Sequence, residues 1–159
     1  MTPIRRILVP IDFSEGSEDA LLAAMSLAEK LGAKFAVLHV HEAPTFMGPD
    51  LELEPPLATQ PLIEMEREIT ERLKMRLELF IRNVTNAEIP DLEIYERAGE
   101  PSKAIVDAAK EANIDLIVMG THGRTGLKHF VLGSVAERVV RHAPCPVLTV
   151  RLGDRQAAA

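Results

Sequence analysis

Short apolar runs alternating with amphipathic stretches leave this chain few folds to adopt. Ile4-Arg-Arg-Ile-Leu-Val-Pro10-Ile11 is the first run, with the composition of a strand covered on both faces. Asp12-Phe-Ser14 turns the chain, and Ser14 or Ser17 can cap a helix reaching about Leu31. In that helix Leu21, Leu22, Met25, Leu27, Ala28 and Leu31 fall at helical spacing, and Gly32 supplies the stop. Lys34-Phe-Ala-Val-Leu-His-Val40-His41 is a second strand, with His39 and His41 on one of its faces.

From about Leu62 to Val84, Ile69, Leu73, Leu77, Phe80, Ile81 and Val84 form the apolar stripe of a long helix. Met65, Met75 and Leu79 widen that stripe and read as core. After Pro90, Leu92-Glu-Ile-Tyr-Glu alternates as a half-covered or exposed strand. Ala98-Gly-Glu-Pro101 then enters a helix whose Ile105, Val106, Ala109 and Ala112 face inward. Asp115-Leu-Ile-Val-Met119 is a buried strand, a helix runs from Val135 to about His142, and Pro146-Val-Leu-Thr-Val150 closes the series.

Strand and helix thus alternate four times before a final strand. The expected fold class is α/β, a single-domain open five-stranded parallel sheet with helices on both faces. The domain spans 1–152, interrupted by a flexible proline-broken and acidic insertion at 42–61, and 153–159 form a tail with nothing to bury. Ligands of such sheets bind at the carboxyl ends of the strands, near a switch in strand order. The loops after Pro10, Val40 and Met119 meet that rule if strands one and four are neighbours.

Composition narrows the partners. The net charge of −6 argues against nucleic acid. Between Gly120 and His142, however, Arg124, Lys128, Arg138 and Arg141 face only one acid, Glu137, a local excess that suits a bound polyanion. The single cysteine, Cys145, excludes an intrachain disulfide and reads as a small core residue. No apolar run approaches the roughly 18 residues of a membrane span, and the expected compartment is the cytosol.

Gly120, Gly123, Gly126 and Gly133 crowd the connection between the fourth strand and the last helix. Glycine loses more backbone freedom on folding than any other residue, so such a loop belongs where backbone approaches a ligand closely. A helix start led by Ser134 is in turn a natural phosphate site. The pattern Gly-x2-Gly-x9-Gly-Ser, with Ile7-Leu-Val-Pro-Ile-Asp-Phe-Ser14, Leu38-His-Val40 and Cys145-Pro-Val-Leu-Thr-Val150, strongly resembles the ATP-binding branch of the universal stress protein family, from about Ile4 to Arg151.

The resemblance implies a Rossmann-like sheet in the order 3-2-1-4-5 and a pocket for ATP. Gly120 and Gly123 would let backbone N–H groups wrap the phosphates, with Thr121, His122, Arg124, Thr125 and Gly126 completing the loop. Gly133, Ser134, Val135 and Ala136 would add donors at the helix start, and Arg124 or Lys128 would neutralise charge. By the same resemblance, Val40 meets adenine through its backbone, while Pro10 and Asp12 line the ribose side. Asp12 either reaches a phosphate-bound Mg²⁺ through water or only caps the turn.

Other nucleotide folds fit worse. The first strand is followed by Asp12-Phe-Ser-Glu-Gly-Ser, not by Gly-x-Gly-x-x-Gly, and no Walker loop occurs. Hydrolysis needs a positioned water, and neither His122 nor Asp12 has an evident orienting partner. The residues favour a nucleotide-binding regulator, with a slow Mg-dependent ATPase or an interaction protein that makes no use of nucleotide as alternatives. The resemblance also implies a homodimer through the edge strand at 147–150, and 42–61 can act as a lid or meet a protein partner.

Overall fold

The computed structural model describes residues 3–41, 59–86, 89, 92–121 and 132–151. The elements are β1 (Arg6–Ile11), α1 (Glu15–Leu31), β2 (Lys34–His41), α2 (Thr59–Thr85), β3 (Glu93–Ala98), α3 (Pro101–Glu111), β4 (Leu116–Gly120), α4 (Ser134–His142) and β5 (Val147–Val150). The strands form one parallel sheet in the order β3-β2-β1-β4-β5, the arrangement expected from the sequence.

Alternation along the strands builds two cores. Ile7, Val9 and Ile11 of β1, with Val37, Leu116, Val118 and Val150, meet Ala20, Leu21, Ala24 and Ala28 of α1 and Leu77 and Ile81 of α2. Leu8, Ala36, Leu38, Ile117 and Met119 face the other way, against Ile105, Ala108 and Ala109 of α3 and Ala136 and Val139 of α4. Because successive side chains on a strand point to opposite faces, runs such as Ile7-Leu-Val fill both layers at once. At the amino end of the sheet, one Asp115 oxygen accepts the N–H groups of Arg5 and Arg6 at 2.8 and 2.9 Å, pinning the start of β1 beside β4.

Local signals act as read. Ser14 caps α1, its hydroxyl accepting the Ser17 N–H at 3.3 Å, and Gly32 ends the helix in the left-handed region at φ 63°. Three expectations change. α2 starts at Thr59, not Leu62, so residues 59–61 belong to the helix and not to the insertion. Met75 and Leu79 are 63% and 52% exposed and are not core. Each stands two residues from buried Leu77, about 200° around the helix, so both face away from the sheet. Leu31 is exposed where α1 ends, whereas Ala112, the C-cap of α3, is half-buried and packs against the second core as expected. Residues 42–58 and 152–159, which hold most of the expected insertion and tail, lie outside the described residues.

Candidate nucleotide site

The strand order makes β1 the neighbour of both β2 and β4, so Pro10, Val40 and Gly120 stand near one another on the carboxyl rim. Beyond β1, Asp12 Oδ1 accepts the Ser14 N–H at 3.1 Å and the Ser14 hydroxyl, so the capping role read for Asp12 is present here. Ser14 in turn caps α1, and the Asp12–Ser14 turn and the helix start form one hydrogen-bonded unit. On β2, Val40 is half-buried against the α3 and α4 layer. Its neighbour His39 is buried, with Nδ1 2.8 Å from the Ile11 carbonyl. That carbonyl only accepts, so Nδ1 carries the proton. Among the described residues, no three His, Cys, Asp or Glu side chains are grouped to hold a metal ion.

Gly120 has a packing requirement of its own. A Cβ at this position would lie 2.8 Å from the Gly16 carbonyl oxygen, 2.9 Å from its carbon and 3.2 Å from its Cα. Such contacts with backbone cannot be relieved by turning a side chain. The end of β4 therefore touches the first turn of α1, which fixes the Asp12–Ser14 turn relative to the fourth strand. Next along the chain, the Thr121 N–H donates to the Val150 carbonyl at 3.0 Å, and the Thr121 carbonyl accepts the Gly133 N–H at 2.7 Å. The two ends of the glycine loop are thereby clasped together. His122, Gly123, Arg124, Thr125, Gly126 and Lys128, all expected in the site, lie outside the described residues.

At the far side of the clasp, Gly133 is the N-cap of α4 and provides no side-chain hydrogen bond. Ser134, Val135 and Ala136 fill the first turn, where backbone N–H groups have no intrahelical partner. The starts of α1, capped by Ser14, and α3 differ. Glu100 caps α3, accepting the Ser102 N–H at 3.2 Å and the Lys103 N–H at 2.8 Å. The Lys103 amide and the Ser102 hydroxyl hold its carboxyl below the ordinary range. Of the cations near the loop, Arg141 pairs with Glu137 at 2.8 Å and Arg138 lies 3.5 Å from Glu100.

The description of the matching family model is the universal stress protein family, aligned over residues 3–151. The chain belongs to the universal stress protein family. A universal stress protein of Methanocaldococcus jannaschii is 35% identical over 147 residues, 92% of this chain and 82% of that one. Among solved structures, UspA of Lactobacillus plantarum superposes with a TM-score of 0.69 at 28% identity, covering 95% of this chain and all of the other. A universal stress protein solved in complex with cAMP shares the fold at 24% identity and a TM-score of 0.58, over 94% and 98% of the two chains.

Two contributors to the rim of this universal stress protein escaped the sequence reading. Gly16 is one, and its trace was a glycine inside the first turn of a helix, where it weakens the helix without a local reason. Phe13 is the other, at φ 65° between Asp12 and Ser14, and nothing in its identity announces a left-handed backbone. Cys145 is half-buried, and burial pushes its thiol up.

Proposed function

We propose that this universal stress protein binds ATP, with Mg²⁺ on the phosphates, and serves as a cytosolic nucleotide-dependent switch in a stress response. The observation that carries the reading is the start of α4. It is a helix N-terminus with no side-chain cap, set where the glycine motif returns to the sheet. In this reading Ser134, Val135 and Ala136 donate backbone N–H groups to phosphate oxygens, with Gly120, Thr121, His122, Gly123, Arg124, Thr125, Gly126 and Gly133 forming the rest of the cradle. Val40 meets the base through its backbone, and Pro10 and Asp12 line the ribose. The test is isothermal titration with ATP and Mg²⁺. Binding by the wild type that is lost in Gly123→Val supports the reading; no binding by the wild type removes it.

The same reading includes a homodimer paired through β5. That strand ends the sheet, with Leu148 42% exposed, and Val140 on the adjoining α4 is 50% exposed. An edge of this kind needs cover. Residues 42–61 would supply contact to a further protein. Light scattering at micromolar concentration tests the dimer, and a monomer rejects it.

A further inference from the structure

The Asp12–Ser14 turn is tied to a helix that takes no part in the proposed nucleotide cradle. Between the two residues that make the turn, Phe13 holds φ 65°, a conformation disfavoured for a residue with a Cβ. Three side chains contact its ring. The His39 ring lies 4.7 Å away between centroids, and Phe80 meets it edge-on at 5.4 Å. The guanidinium carbon of Arg76 stands 4.1 Å from the ring centroid, within cation–π range. Arg76 and Phe80 are four residues apart on α2, one turn on one face, beside the buried pair Leu77 and Ile81.

This grip matters because α2 is thinly anchored through its described side chains. Among its described residues only Leu77 and Ile81 are fully buried, with Phe80 and Val84 partly buried beside them, while Met75 and Leu79 are exposed. Elements with little buried apolar area open at low free energy and are the ones a ligand can order. We propose that Phe13 is a positioning residue linking nucleotide occupancy to the docking of α2. The inference rests on the ATP reading above. A ligand held by the Asp12–Ser14 turn selects the left-handed backbone of Phe13. That backbone keeps the ring between Arg76 and Phe80, and so holds α2 against the sheet. By linkage, loosening the α2 grip weakens ATP by no more than the factor by which ATP orders α2.

Hydrogen exchange of the full-length protein, with and without Mg-ATP and alongside calorimetric titration, tests this. In the wild type, saturating ATP is expected to slow exchange of the α2 amides around Arg76–Phe80 by about fivefold or more. Phe13→Gly suits the left-handed turn and deletes the ring. Arg76→Gln removes the cation from an exposed position and guards against a folding defect in the first variant. Both are expected still to bind ATP, with affinity weakened by about fivefold or less, and to lose most of the ATP-dependent slowing in α2. A merely structural role would change exchange equally with and without ATP. ATP binding with unchanged α2 exchange in the wild type overturns this inference alone, as does full ATP-dependent slowing in both variants. Absence of ATP binding overturns it together with the reading it rests on.

Discussion

Two strand-to-helix crossings on the same rim end differently. After β3, the chain enters α3 through Glu100, whose carboxylate accepts two first-turn N–H groups and occupies the positive end of the helix dipole. After β4, it enters α4 through Gly133, which offers no side chain. The first crossing is complete in itself. The second has first-turn backbone donors of the same kind and no side-chain acceptor at its N-cap. Under the proposed function, the donors left uncapped at the second helix start are the ones that take the phosphates.

The largest expected effect concerns how the open crossing is held in place. Gly120→Ala forces a methyl group onto the Gly16 backbone and should cost about 2 kcal/mol or more in urea unfolding. Stability within 0.5 kcal/mol of wild type, on the order of a surface change, would show that α1 and β4 are not locked. Next, Gly133→Asp makes the open crossing resemble the closed one, since the N-cap backbone there, φ −60° and ψ 149°, accepts aspartate. ATP affinity should fall roughly tenfold while the fold gains about 0.5 kcal/mol. Unchanged affinity would break the comparison.

Two carboxylates of the third strand and its loop should respond to pH in opposite directions. Both Glu96 oxygens are buried without a hydrogen-bond partner. Burial pushes this carboxyl above its usual value, against the pull of His41 and Lys74. The folded protein therefore favours the protonated form, and stability declines as pH rises from the ordinary glutamate value through the raised one. Glu96→Gln should stabilise by about 1 kcal/mol at pH 7, a gain that shrinks below the ordinary glutamate value. Glu100 is held low, so its contribution is present above the ordinary value and is lost as pH falls through the depressed one. Glu100→Ala should cost about 0.5–1 kcal/mol at pH 7, less in acid, with ATP affinity unchanged. The smallest effect is Arg138→Ala, which breaks an exposed pair across the two crossings and should cost under about 0.5 kcal/mol in thermal unfolding.

What sequence alone determined was the set of elements and their order along the chain. Period-two and period-3.6 patterns, Ser14 before α1 and Gly32 after it are local properties, legible because hydrogen bonding and side-chain direction act over one turn or one residue. The half-covered character of the strand at 92–96 was legible for the same reason, and Ile94 and Tyr95 are half-buried. Met75 and Leu79 misled because residue type reports the tendency to be buried and says nothing of which side of a helix finds a partner.

Only the tertiary structure decided what Gly120 is for. In sequence it belongs to a glycine pattern for which a ligand was the expected reason; in space it admits the Gly16 backbone, 104 positions earlier in the chain. The same holds for Phe13, whose backbone is disfavoured locally and whose ring is held by residues of β2 and α2. Close approach between distant segments depends on how elements pack, and the single letters G and F carry no record of the partner.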